Sequence, residues 1–292
     1  GFWTLINTTV NGTGKLIVNR NVFALTVLGV VVFNAEAENN GTFLIGDTGT
    51  GGGELQVRAA FTNRLMLQLR GDEASPSKLT IAGGATLTNE AGSTLLLTRP
   101  SSGERVIQLD GELVNAGDFA VRAGGVLKIQ GRADGTGRFV HRGAVSIEGP
   151  VMGPDGMTVL TPAGRMELTS VTWVIEGGTV ASDPLGSTYE VSVTGGEITL
   201  NTDMEVASGG FWTLINTTVN GTGKLIVNKN VFMLEILGVV VFNAAAENNG
   251  TFLIGYEGIG SGELQVHAAF TNRGMLQLRG DESRPSKLTI AD

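Results

Sequence analysis

The opening stretch of the chain is written twice. Gly1–Ala82 opens GFWTLINTTVNGTGKLIVN and closes MLQLRGDEASPSKLTIA, and the same text returns at Gly210–Ala291, 209 positions later. Thirteen of the 82 aligned pairs differ, among them Arg20/Lys229, Ala24/Met233, Glu36/Ala245, Asp47/Tyr256, Arg58/His267 and Leu65/Gly274. A repeat is read before any local propensity, because missing it misassigns the whole fold. A period of 209 is far above the roughly 20–50 residues of one solenoid unit, so the block must contain smaller units. The chain reads as one full block, 1–209, followed by the start of the next, 210–292.

A shorter period lies inside the block. Phe61-Thr62-Asn63, Leu87-Thr88-Asn89, Leu113-Val114-Asn115 and Phe139-Val140-His141 follow one another at a constant step of 26. A short apolar run precedes and another follows most of these triplets: KLTI before Leu87, then Gly92 and TLLL; VIQL before Leu113, then Gly117 and DFAV. Runs of four or five residues rich in Val, Leu, Ile and Thr, bounded by Gly or Asn, are the strand signal. No 12-residue window has convincing helical spacing of its apolar residues. Three short strands in about 26 residues make one coil of a parallel β-helix, and such coils stack because none buries its inner face alone. The predicted fold is therefore all-β, a right-handed parallel β-helix (β-solenoid), the hand following from the rule for parallel crossovers.

In that register Asn63, Asn89, Asn115 and His141 form one ladder up a corner. Asparagine tolerates left-handed backbone, and its amide can bond to the next amide up. Phe33-Asn34, Phe242-Asn243 and Phe270-Thr271-Asn272 read as the same corner, and Leu160-Thr161-Pro162 as the corner after a shortened coil. Ser170–Ser208 is less regular and its coils have no clear placement. Division of 209 by 26 gives about eight coils per block, an advance of about 38 Å at the spacing of strands in a sheet.

Composition agrees and narrows the function. Glycine is abundant, at 44 residues, but proline is scarce, at 7, and 41% of residues are hydrophobic. That is too apolar for disorder. A net charge of −8 without a basic stripe argues against a nucleic-acid partner. Cysteine is absent, so stability comes from packing. The longest mostly apolar run, Val22–Ala35, is too short to span a bilayer.

The phrases GGATLTNEAGSTLLL, GELVNAGDFAV and GTGRFVHRGAVSIEG resemble the passenger regions of autotransporters and filamentous-haemagglutinin-like adhesins, and the near-identical long blocks resemble giant repetitive bacterial surface proteins. The resemblance implies an extended β-helix that is exported to the cell surface or beyond it, and it brings no catalytic residues.

Candidate chemistry is sparse. Gly46–Gly53 lacks the Gly-Lys-Ser/Thr ending of a phosphate loop and the GGxGxDx pattern of calcium β-rolls. Its copy, Gly255–Gly262, changes Asp47 to Tyr256, so a metal site would not survive. Arg70-Gly71-Asp72 and Arg279-Gly280-Asp281 spell an integrin-type tripeptide on an expected loop. Asp72-Glu73 and Asp281-Glu282 are adjacent acids, whereas a catalytic pair needs facing placement. Asn7, Asn11, Asn40, Asn216, Asn220 and Asn249 head N-x-Thr triplets that would accept glycans in a glycosylating host. Phe2-Trp3 and Phe211-Trp212 read as packing residues.

No catalytic, metal or cofactor residues are assigned, and the chain is read as non-catalytic. The expected function is structural: a solenoid segment of a long tandem-repeat extracellular filament or surface adhesin. Its expected partners are copies of itself, stacked end to end or side by side, and cell-surface or glycan ligands. The alternative is a carbohydrate-active β-helix enzyme or a tailspike-like polysaccharide-binding protein, whose acidic groove would occur once.

Overall fold

The computed structural model describes residues 1–18, 24–47, 51–70, 75–97, 104–121, 126–131, 137–142, 144–148, 151–152, 159–161, 165–177, 179–183, 188–229, 231, 233–256, 260–280 and 285–291. Among these residues there is no helix, and strands account for more than half of the chain. The chain winds as a β-solenoid with three faces.

The second face is a parallel ladder of twelve rungs, from Thr9–Val10 through Gly53–Val57, Lys78–Ile81 and Tyr189–Thr194 to Met275–Leu278. The third face is another of twelve, from Leu16–Val18 through Phe61–Asn63 and Arg138–His141 to Lys287–Ile290. The first face runs in eight rungs from Phe2–Ile6 to Thr179–Asp183. It then continues as a four-rung ladder: Met204–Val206, Lys224–Val227, Ala245–Asn248 and Phe270–Asn272. Met204–Val206 packs against Thr179–Asp183, which joins the two parts of this face.

The core follows from period-2 alternation. In Lys78–Ile81 the burial alternates intermediate, buried, intermediate, buried, and the same pattern recurs in Thr86–Asn89 and Thr94–Leu97. Successive side chains of a strand point to opposite faces, so Leu79 and Ile81 go inward and Lys78 and Thr80 outward. Parallel register then stacks like on like. One inward column on the second face runs Val31, Leu55, Leu79, Ile107, Ile129, Leu168, Val193, Leu214, Ile236, Ile254. Each of these is at most 1% exposed, so every coil seals the next.

Two devices vary the coil length. Ala24–Phe33 is a single ten-residue strand that serves two faces and bends at Gly29. Gly29 has φ of 61°, and a Cβ there would lie 2.2 Å from Asn7 Oδ1. That oxygen accepts a bond from Val30 N at 3.1 Å, so the Asn7 side chain fills the space the glycine leaves. The second device is an insertion. Val151–Met152 and Val159–Thr161 pair antiparallel, apart from the stack, between Ala144–Glu148 and Arg165–Thr169.

Three sequence readings are corrected here. Leu160 and Thr161 belong to that antiparallel insertion and are not a corner of the stack; Pro162 lies outside the described residues. Phe33-Asn34 closes its bent strand at the end of the second face and Phe270-Thr271-Asn272 lies on the first face, so neither shares the corner of Asn63, whereas Phe242-Asn243 does end the third face. The third correction concerns the block. Phe2–Ile6 lies on the first face of the first coil, whereas its copy in Gly210–Ile215 lies on the second face of the ninth. Thr9–Val10 is on the second face, and Thr218–Val219 is on the third. The copies are thus eight coils and one face apart, not eight whole coils.

Candidate functional site

The most ordered polar feature is an asparagine ladder inside the third-face corner. Asn39 Nδ2 donates to Asn63 Oδ1 at 2.7 Å, Asn63 Nδ2 to Asn89 Oδ1 at 2.7 Å, and Asn89 Nδ2 to Asn115 Oδ1 at 2.8 Å. The second amide hydrogen of each donor goes to a main-chain oxygen of the following coil: Met66, Thr94 and Asp118 for Asn39, Asn63 and Asn89. All four amides are buried, and a buried amide is tolerated when its donors and acceptors are used. His141 follows Asn115 in register. It is fully buried, and its ring stacks with Phe139 at 5.8 Å and Trp173 at 6.0 Å. Trp173 in turn stacks on Trp212 at 5.7 Å, whose Nε1 donates to Tyr189 Oη at 3.4 Å. These groups serve packing within the stack and face no solvent.

Sequence reasoning missed Asn39, which lies 24 residues before Asn63 and so falls two short of the even step above it, and its copy Asn248. Asn248 Nδ2 donates to Asn272 Oδ1 at 2.7 Å, but on the first face, as the shift of one face requires. A second set of asparagine pairs was also missed, at the end of the second face in the first copy and of the third face in the second. Asn34 donates to Asn11 at 2.7 Å, and Asn243 to Asn220 at 2.7 Å, with His267 Nδ1 3.0 Å from Asn243 Oδ1.

The triplet asparagines therefore have structural partners of their own. The Asn7 and Asn216 oxygens accept from Val30 N and Val239 N, at φ of 46° and 49°. Asn11 and Asn220 accept ladder bonds, and Asn40 and Asn249 donate to Glu38 and Glu247 at 2.9 and 3.1 Å. Of the tripeptides, Arg70, Arg279 and Gly280 are described, whereas Gly71, Asp72 and Asp281 lie outside the described residues, as do the acid pairs with Glu73 and Glu282. Arg70 lies 3.9 Å from Asp47. In the copy Asp47 becomes Tyr256, and the Arg279 guanidinium sits 6.0 Å from that ring's centroid.

Outside, charges pair between coils. Glu38 meets Lys15 at 2.5 Å and Arg64 at 3.1 Å, and Glu247 meets Lys224 at 3.3 Å and Arg273 at 3.0 Å. The Lys15 hydrogen bond, then that of Asn40, holds the Glu38 carboxyl below its usual range; Asn249, then Lys224, does the same for Glu247. Glu235 behaves oppositely. Burial pushes its carboxyl up against a hydrogen bond from Thr213, and its Oε1 has no hydrogen-bond partner among the described residues. A shallow groove beside it on the second face is lined by Arg165, Glu190, Ser192, Phe211 and Thr213. Arg165 there bridges Glu167 at 2.6 Å and Glu190 at 3.4 Å. Among the described residues no three His, Asp or Glu side chains cluster as a metal site would need, and no helix is long and apolar enough to cross a membrane.

No protein-family profile and no curated protein matches the chain. Among solved structures, the chain aligns over 100% of its length with 92% of the hyper-glycosylated TibA fragment whose glycosylation TibC catalyses, at 14% identity and a TM-score of 0.27. A likeness that low bears on neither activity nor partner.

Proposed function

We propose that the chain is a non-catalytic structural segment of a long, tandem-repeat β-solenoid at the cell surface or outside the cell. One observation carries the reading. The second copy extends the stack of the first part: Gly210–Ile215 pairs in register with Tyr189–Thr194, and Thr218–Gly221 with Glu197–Leu200. Repetition here lengthens a rod, as in solenoids whose stability is a sum over neighbours. The polar groups support the same reading, because the asparagines, the histidine and the charged pairs are engaged between coils.

Glycan binding is the second reading. The groove at Arg165, Glu190 and Phe211 favours it, since an aromatic ring beside an ion pair is how a protein commonly meets a sugar face and its hydroxyls. Electron microscopy of the purified protein, with a parallel assay of polysaccharide cleavage, separates the two. Rods of uniform width without cleavage support the structural role. Compact particles that shorten a polysaccharide overturn it.

A further inference from the structure

A repeat that advances by whole coils keeps each loop on one side of the rod. This one does not. Gly29 and Gly238 make the same bend, each with φ of 61° and each filled by an asparagine oxygen. Yet Gly29 turns the chain from the first face to the second, and Gly238 turns it from the second to the third. The exposed side chains that follow, Val30 and Val239, accordingly begin different faces. The ladder pairs show the same step: Asn39 with Asn63 on the third face, Asn248 with Asn272 on the first.

We infer that the repeated block acts as a one-third-turn screw, so that equivalent surface loops point to the three sides of the rod in turn. This rests on the structural reading above. The shift of one face per block brings a loop back to its first side only after three blocks, which is about 25 coils or about 120 Å at the strand spacing. A flat partner on one side then meets each repeated loop singly at that interval. Partners that surround the rod, above all neighbouring rods of the same chain, meet it from every side. The device needs no new sequence, because the strands accept any face. Most alternate buried with more exposed positions, and nothing in that alternation names a face.

The chain has no cysteine, so introduced cysteines report cleanly. One double variant, Val30→Cys with Val239→Cys, marks equivalent positions. Another, Glu36→Cys with Val239→Cys, marks one corner, between the second and third faces, at the same rise of eight coils. Both are biotinylated and saturated with a tag protein broader than the rise of about 38 Å. Single-cysteine variants, each binding one tag, establish access. Native mass spectrometry is expected to count two tags on the first double variant and one on the second, a twofold difference. Equal counts, or the reverse order, overturn the inference. Small-angle scattering on the same samples separates the two failures. A rod with equal counts sinks the screw alone, whereas a compact particle sinks the structural reading with it.

Discussion

Residues 1–82 and 210–291 share almost one sequence and occupy different settings. Trp3 lies on the first face of the outermost coil and is 64% exposed; Trp212 lies on the second face, deep in the stack, and is 1% exposed. Asn63 is buried between Asn39 and Asn89, whereas its copy Asn272 is exposed on the last coil. The residues are the same, and so is the local strand geometry; the neighbours differ. Strand and corner are local properties here, while burial belongs to the coil above and the coil below. The substitutions between copies follow that division. Val27/Ile236 keeps an inward side chain apolar, whereas Asp47/Tyr256 exchanges one partner of a surface arginine for another.

The comparison breaks most visibly at the tryptophans. Replacing Trp212 with Ala removes its stacking on Trp173 and its bond to Tyr189 and leaves a large void, at an expected cost of about 3–5 kcal/mol. Trp3→Ala is expected to cost about 0.5 kcal/mol or less, as exposed substitutions do. Urea unfolding of both variants checks the pair, and similar midpoint shifts would refute the assignment of Trp212 to the interior. Next come the ladders. Asn89→Leu leaves one buried amide hydrogen of Asn63 without its acceptor, while the Ser93 hydroxyl keeps the Glu90 main-chain oxygen, at about 1–3 kcal/mol. Asn272→Leu removes one bond at the edge of the stack, so less than about 1 kcal/mol is expected. Equal losses would mean that the interior ladder is not sealed.

The smallest effect concerns Glu235, where the first copy has Thr26. Burial raises its folded carboxyl value above the unfolded one, so the neutral form is the one the fold prefers. The relative stability it gives is complete below the unfolded value and fades as pH rises through the folded one. Glu235→Thr is therefore expected to stabilise at neutral pH, with the gain shrinking as pH falls through the carboxyl range. A gain that grows on acidification would reverse the sign argued here. Glu247 runs the other way: its depressed carboxyl contributes above the unfolded value and less as pH falls through the folded one.

Much of the fold was legible because three consecutive coils have equal length. Asn63, Asn89 and Asn115 are evenly spaced, so the corner and the three-strand coil could be read by counting. Where coil length changes, counting fails. The strand that bends at Gly29 spends ten residues on two faces without a turn signal, which hid Asn39 and misplaced Asn34. The insertion at Val151–Thr161 lengthened one coil and obscured the strands of Ser170–Ser208, which the structure arranges as ordinary rungs. The shift of one face was not legible at all. A period of two specifies inside and outside but not which of three sides a strand occupies. The candidate site was readable to the extent that its residues serve the coils; the bonds that occupy Asn7, Asn11 and their copies depend on neighbours 23 residues away, which no triplet reveals.

The most direct test of the central claim is a disulfide across the start of the second copy. Ser192 and Thr213 are register neighbours on the second face, both directed outward. Adjacent strands bring Cα atoms within the roughly 4.4–6.8 Å that a disulfide spans. Ser192→Cys with Thr213→Cys is expected to crosslink under mild oxidation, and Ala181→Cys with Thr213→Cys is not. If the second pair crosslinks and the first does not, the copy sits on the first face like its predecessor, and the account of one continuous stack turned by one face is wrong.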